Sequence, residues 1–115
     1  MNEVYTTQTQ ADSYDTTRPL LDSMYAEFKE LSKKKPDAAV SKNKLKIVNR
    51  LLERVRSVLA DEDSIVFLDL LDEDDLPQSS DVTLMLSQYD AAMNSFRKKY
   101  YGYNQRLSEH IWFIR

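Results

Sequence analysis

Two acidic clusters are, by residue type, the part of this chain best suited to bind a metal ion. They lie at residues 61–63 and 72–75, and each consists only of aspartate and glutamate. Calcium-binding loops place oxygen ligands at fixed positions and need a glycine for their sharp turn. Here Ile65 and Leu76 occupy positions that require an oxygen ligand, and neither cluster contains a glycine. We therefore interpret both clusters as solvated acidic loops, and we predict no metal site and no cofactor.

The set of side chains suited to catalysis is small. The sequence contains one histidine, His110, one glycine, Gly102, and no cysteine. The lack of cysteine excludes a thiol nucleophile and a disulfide framework, and a single glycine excludes the glycine-rich loops that bind phosphates. Pairing His110 with Glu109 for acid–base chemistry is unfavourable, because adjacent residues of an extended segment point to opposite sides. We therefore predict that this chain is not an enzyme.

One short segment is similar to a known catalytic motif. Residues 106–110 read Arg-Leu-Ser-Glu-His, and this resembles the Arg–His motif of the HEPN class of helical ribonucleases. That class has a longer spacer between the two residues than the three residues that separate Arg106 and His110 here. The resemblance implies a nuclease that uses Arg106 and His110, which we keep as a second alternative function. For His110 itself we expect a structural role.

Charge is strongly segregated along the sequence. Residues 29–56 contain ten basic and three acidic residues, whereas residues 60–90 contain ten acidic residues and no lysine or arginine. The net charge of the whole chain, −3, conceals this pattern. Such a distribution bears on the choice of binding partner more than on the fold.

The basic part includes a regular ridge of cations spaced four residues apart. Its members are Lys42, Lys46, Arg50 and Arg54. On a helix they share one face, where each pair of like charges costs roughly 0.2–0.5 kcal/mol. Either the ridge is a solvated face, or the acidic segment neutralises it within the chain, or it binds an external anion. Because a two-turn helix over residues 64–71 spans only about 12 Å, we expect it to leave the Lys42 end uncompensated.

A related set of cations lies at one corner of the expected domain, where two predicted helices meet at a short turn. We call this set the lysine corner, and its members are Lys33, Lys34, Lys35, Lys42, Lys44, Lys46 and Arg50. A patch of this kind can contact phosphates or an acidic protein surface. It therefore supports an alternative function, in which the protein binds nucleic acid.

Two further surfaces are candidates for binding another protein. The first, the acidic face, consists of Asp69, Asp72, Glu73, Asp74 and Asp75. The second is the C-terminal tail, in which Trp112 and Phe113 are residue types enriched at interfaces. The tail either folds back over the domain or adds to another chain as a strand or anchor. Because opposite charges on one molecule permit pairing between copies, a homo-oligomer is among the expected assemblies.

Apolar periodicity predicts the helices that carry these surfaces. Their predicted ranges are 17–34, 41–60, 64–71 and 81–101, the third being a short helix of two turns. Ser41 and Ser80 are suitable N-caps, and Pro36 ends the first helix. Gly102 follows the last helix at the position of a left-handed C-cap. The second helix has the widest apolar stripe, so we expect it to be central.

The predicted fold class is all-α, a small bundle of three long helices and one short helix. We expect a polar arm, disordered or loosely docked, over residues 1–15, the bundle over 16–103 and an extended tail over 104–115. No segment is apolar enough to span a bilayer, so we predict a cytoplasmic protein without membrane contact. Its predicted function is protein interaction, as a subunit, adaptor or regulator of a larger assembly.

Overall fold

The structure of this chain, a computed structural model, describes residues 4–115. Most of these residues lie in three helices, α1 (Gln8–Lys34), α2 (Lys42–Val58) and α3 (Ser79–Tyr100). A short 3-10 helix (Asp63–Phe67) lies between α2 and α3, and an antiparallel hairpin of β1 (Tyr101–Asn104) and β2 (Glu109–Trp112) follows α3. The prediction of a mainly helical fold is confirmed. The finer prediction of an all-α fold with a fourth helix holds only in part, because the chain ends in a hairpin.

A disordered or loosely docked arm is predicted over residues 1–15, but residues 8–15 are part of helix α1. The helix starts behind Thr7, whose hydroxyl accepts a hydrogen bond of 3.1 Å from an amide of the first turn. The side chains of Ala11 and Tyr14 are buried, and their burial docks an otherwise polar segment on the core. Residues 1–3 of the predicted arm lie outside the described residues.

Helix α1, and not α2, is the central element, because it packs extensively against both other helices. With 27 residues it is about 40 Å long at 1.5 Å per residue. The molecule is accordingly elongated, with extents of 51 × 23 × 22 Å. Side chains from all three helices form one core, in which Leu21, Leu52 and Phe96 are almost completely buried.

The chain after the 3-10 helix is not helical, although a helix is predicted over residues 64–71. Instead, residues 68–75, which we call the strap, run back along α2. Leu71 of the strap lies beside Asn49, and Asp74 lies beside Lys42, which is seven positions earlier in α2, or about 10 Å along the helix. Residues 68–72 have no helical structure, and residues 72–75 form a turn in which the Asp75 amide donates a hydrogen bond of 3.3 Å to the Asp72 carbonyl.

The strap neutralises the Lys42 end of the basic ridge, which the sequence analysis leaves uncompensated. The Lys42 ammonium lies 3.2 Å from the Asp74 carboxylate. The prediction fails here because the helix expected over residues 64–71 does not form. The chain instead runs along α2 as far as a turn at residues 72–75, which places Asp74 beside Lys42.

The C-terminal hairpin corrects the role predicted for Gly102. This residue lies in β1 without a positive φ, and Tyr101 already has extended geometry. A Cβ atom at residue 102 would lie 3.1 Å from the Cζ atom of Phe113, so the glycine permits close packing of that ring. Residues 105–108 form the hairpin loop, with Ser108 at φ 53°. A loop of this length does not need the Asn-Gly or Asp-Gly pair that two-residue turns prefer.

Several predicted helix ends agree with the structure. The Ser41 hydroxyl caps α2 by accepting a hydrogen bond of 3.3 Å from a first-turn amide, and α1 ends shortly before Pro36. Helix α3 begins slightly earlier than predicted, with Gln78 rather than Ser80 at its N-cap. There the Asp81 carboxylate accepts a hydrogen bond of 2.9 Å from the Gln78 amide, as suits the positive end of a helix dipole.

Candidate interaction surfaces

The seam between α1 and α3 is closed by the C-terminal hairpin. The centroid of the Trp112 ring lies 5.0 Å from that of Tyr14 on α1 and 5.9 Å from that of Phe96 on α3. The indole nitrogen donates a hydrogen bond of 3.3 Å to the Asp15 carboxylate. Of the two alternatives for the tail, internal docking is confirmed. Trp112 and the half-buried Phe113, both predicted as protein-interaction residues, are therefore engaged within the chain.

An ion pair supports the same seam. Arg18 of α1 pairs with Asp90 of α3 and, at 2.7 Å, with Asp22 one turn further along α1. Burial acts to lower the pKa of Arg18, but its hydrogen bonds to Asp90 and Asp22 outweigh that effect, so the pKa is raised. The guanidinium is therefore a permanent positive charge that connects α1 to α3.

The seam between α2 and α3 is closed by the strap. The Asn49 side chain of α2 donates to the Leu71 carbonyl at 2.7 Å and accepts from the Leu71 amide at 2.9 Å. The Tyr89 hydroxyl of α3 donates to the Asp69 carbonyl at 2.7 Å. Burial of Tyr89 raises its pKa from 10.0 to about 12. Hydrogen bonds from two buried side chains thus hold the strap on both helices.

The seam between α1 and α2 is an open groove with a volume of ≈ 820 Å³. All the residues that line it belong to these two helices, which means that neither the strap nor the hairpin covers it. Phe28 and Val48 are buried at its floor, whereas Leu20 and Ile47 are 56% and 53% exposed. The groove therefore presents accessible apolar surface between residues 16–31 of α1 and residues 44–54 of α2.

Three cations border this groove on the α2 side. They are Lys44, Arg50 and Arg54, all exposed, and none of them forms an ion pair with another residue in the range 4–115. Glu27 is the one acidic residue of the lining. The basic ridge is thus divided: the strap neutralises its Lys42 end, and its Arg54 end stays available beside the groove.

The lysine corner is brought together at the junction of α1 and α2, as the sequence predicts, but two members are neutralised within the chain. Lys33 pairs with Glu30 at 3.3 Å, and Lys42 pairs with the strap. Within the described part of the chain, Lys34, Lys35 and Lys46 are exposed and form no ion pair. The remaining members, Lys44 and Arg50, border the groove.

All five residues of the predicted acidic face lie in the strap, where several of their carboxylates have intrachain partners. Asp74 forms the ion pair with α2, and Glu73 accepts a hydrogen bond of 3.4 Å from the same helix. Asp72 accepts a hydrogen bond of 2.9 Å from an amide of its own turn. Asp69 and Asp75 are exposed. The face is thus in large part a structural element.

An exposed apolar surface, which is not predicted from the sequence, lies next to this face. Val66 and Phe67 of the 3-10 helix are 73% and 72% exposed, and Leu70 is 40% exposed. We call these three residues the apolar knob. Exposed carboxylates of Asp63 and Asp69 flank it. The density of apolar residues in this part of the sequence was the available signal, but periodicity alone assigns the whole run to one helix.

The Arg–His segment lies in the hairpin and not on a helix. Arg106 is in the exposed loop, and His110 is on β2. The His110 ring stacks on Tyr101 with a centroid distance of 6.2 Å and contacts Tyr103 edge-on at 5.3 Å. These contacts fit the structural role expected for His110, and the nuclease implied by the resemblance stays a prediction.

No protein-family model, curated protein or solved structure matches this chain. Within residues 4–115, the acidic and histidine side chains do not form a group of three that could hold a metal ion. No helix in that same range is both long and apolar enough to cross a membrane. We therefore interpret the α1–α2 groove from the chemistry of its own residues.

Proposed function

We propose that this chain is a protein-interaction module, a subunit, adaptor or regulator of a larger assembly, which binds its partner in the α1–α2 groove. One observation carries the proposal: the hairpin closes the α1–α3 seam and the strap closes the α2–α3 seam, but the α1–α2 seam is open. Contiguous apolar surface such as that of Leu20 and Ile47 is stabilised by burial against another surface.

The groove suits an amphipathic helix with acidic flanks. Its lining follows α1 from Thr16 to Leu31, which is about 22 Å at 1.5 Å per residue. A partner helix of about 15 residues has the same length, and it presents an apolar side chain every three or four residues. Lys44, Arg50 and Arg54 would then face the acidic side chains at its edge, which favours this partner over a basic one.

Nucleic-acid binding, the alternative from the sequence, would use the lysine corner instead of the groove. Lys34, Lys35 and Lys46 are its exposed members without an ion pair in the described range. Contacts to phosphates are electrostatic and weaken steeply with salt. An apolar contact in the groove depends less on salt, since screening affects only its charged border. Salt dependence therefore separates the two functions.

A designed peptide tests the proposal directly. The peptide is a labelled helix of about 15 residues with leucine at steps of three and four residues and glutamate beside the leucines, and fluorescence anisotropy gives its Kd. Ile47→Glu should weaken binding at least about tenfold, because it places a carboxylate in apolar surface. A peptide with lysine in place of glutamate should also bind at least about tenfold more weakly, because it meets like charges.

Leu84→Glu is the matched control, because Leu84 is 63% exposed on α3 and does not line the groove. This variant should bind the glutamate peptide with unchanged affinity. The proposal is wrong if the two peptides bind equally well or if Ile47→Glu binds like the wild type. Duplex DNA titrated against salt is the third arm. DNA binding tighter than peptide binding, and lost at high salt, would favour the nucleic-acid function instead.

A further inference from the structure

We propose that copies of this chain associate with each other, the apolar knob of one copy entering the α1–α2 groove of the next. This inference rests on the proposed function, because it uses the same groove and names a second copy as an occupant. It adds a donor surface, the 3-10 helix with Val66 and Phe67, to the acceptor surface already described.

The two surfaces match in polarity. The knob exposes Val66 and Phe67 by 73% and 72%, which is high for apolar side chains. The groove exposes Leu20 and Ile47 above the buried Phe28. An aromatic side chain is a typical anchor in an apolar pocket, because it buries a large area with few rotatable bonds. Phe67 is the anchor that this geometry assigns.

The two surfaces also match in charge. Asp63 and Asp69 flank the knob, and no lysine or arginine lies between Arg56 and Arg97 in the sequence. Cations, including Arg50 and Arg54, border the groove. Opposite charges around an apolar contact accelerate encounter and fix its orientation.

The knob is held away from the groove of its own chain. Immediately before the 3-10 helix, Glu62 pairs with Lys99 of α3 at 3.3 Å and accepts a hydrogen bond of 2.8 Å from the Tyr100 hydroxyl. Immediately after the helix, Leu68 is 2% exposed and anchored in the core. Because both ends are fixed, the knob meets a groove only on a second copy. Two such contacts give a closed dimer, and one gives a head-to-tail chain.

Sedimentation velocity of the full chain tests this inference. Chain concentrations from about 10 µM to about 1 mM cover the dissociation constants expected for a small interface. The average mass should rise above the 13.5 kDa of one chain as concentration increases. Ile47→Glu and Phe67→Ser should each lower the association constant at least about tenfold. Both positions are exposed, so both variants should keep the wild-type circular dichroism spectrum and Tm. Leu84→Glu should associate like the wild type.

A mixture of the two variants gives the sharpest readout. The Ile47→Glu chain retains its knob and the Phe67→Ser chain retains its groove, so a mixture of the two should associate more strongly than either variant alone. A mass of 13.5 kDa at every wild-type concentration would overturn the inference. So would a mixture that stays monomeric while the wild type associates.

The peptide experiment distinguishes this failure from failure of the proposed function. A chain that binds the glutamate peptide but stays monomeric overturns only the self-association. A chain that neither binds the peptide nor associates overturns both. If the chain both binds the peptide and self-associates, the peptide should compete with self-association. Self-association that saturating peptide leaves unchanged would overturn the use of a common groove.

Discussion

The two seams that run along α1 differ in how they are covered: the α1–α3 seam is closed by the hairpin, whereas the α1–α2 seam is open. Toward α3, the rings of Tyr14 and Phe96 are 5.7 Å apart, and Trp112 covers both. Toward α2, Leu20 and Ile47 are more than half exposed. Both sides carry apolar residues, so composition does not explain the difference. The difference is that later segments of the chain fold over one seam and leave the other open.

The two closed seams share one feature, an apolar contact that is stabilised by a side-chain hydrogen bond. In the α1–α3 seam the Trp112 indole donates to Asp15, and at the strap Asn49 holds both polar groups of the Leu71 backbone. The open groove has cations at its border instead, and Lys44, Arg50 and Arg54 form no ion pair with another described residue. A surface that combines exposed apolar groups with unmatched charge is typical of a binding site.

Truncating one side chain in each seam should give the largest difference in the free energy of unfolding. Phe96 is 1% exposed and packs against three aromatic rings. Phe96→Ala should therefore lower stability by about 3–5 kcal/mol, through lost transfer energy and the cavity that remains. Leu20→Ala, at a position 56% exposed, should change it by no more than about 0.5 kcal/mol. Urea denaturation measures both, and similar losses would contradict the comparison of closed and open seams.

Removing the Asn49 hydrogen bonds that hold the strap should have an intermediate effect on the free energy of unfolding. Asn49→Ala leaves the Leu71 amide and carbonyl without their side-chain partner, at a cost of about 1–3 kcal/mol. Hydrogen exchange at the Leu71 amide should accelerate by more than the global loss explains, because the strap opens locally. Asn43→Ala, an exposed asparagine of the same helix, is the control and should change neither quantity. Unchanged exchange in Asn49→Ala would show that the strap is held by other contacts.

The smallest effect should come from the Tyr89 hydroxyl and should depend on pH. Tyr89→Phe removes one hydrogen bond to the strap and should cost about 0.5–1.5 kcal/mol at neutral pH. The pKa in the folded chain is about 12, above the ordinary value of 10.0. Its contribution is therefore complete below pH 10 and is lost as the pH rises from 10 toward 12.

The measurement for Tyr89 is the free energy of unfolding from pH 9 to pH 12. The wild type should lose more stability over this range than Tyr89→Phe, and the difference between the two should shrink as the pH rises. Tyr103→Phe, at a position 55% exposed, should follow the wild-type curve. Parallel curves for the wild type and Tyr89→Phe would show that this hydroxyl does not sense burial.

Local patterns account for the parts of the fold that sequence reasoning predicts. Helix α2 begins behind Ser41, and the spacing of Leu45, Val48 and Leu52 puts these side chains on its buried face. Capping and apolar periodicity involve only a few neighbouring residues, so they can be recognised directly in the sequence. The segment 8–15 shows the limit of this approach. It has no apolar periodicity, yet it is helical in the structure, where Ala11 and Tyr14 are buried in the core.

The candidate site could be predicted only in part, for the same reason. The cations Arg50 and Arg54 were visible as members of a ridge. Whether each is neutralised depends on the path of the strap, whose position is set by contacts between residues far apart in the sequence, such as Asn49 and Leu71. The exposure of Phe67 likewise follows from how the 3-10 helix is anchored at both ends, which no local pattern records.

By itself, the sequence determined that this protein is mainly helical, that its charges are segregated, where α2 begins and where α1 ends. Only the tertiary structure decided which apolar residues are covered. Leu20 and Leu21 are adjacent and identical in type, yet one is 56% exposed and the other fully buried. The physical reason is that side-chain type and spacing are properties of a short segment, whereas burial depends on distant segments that fold over it.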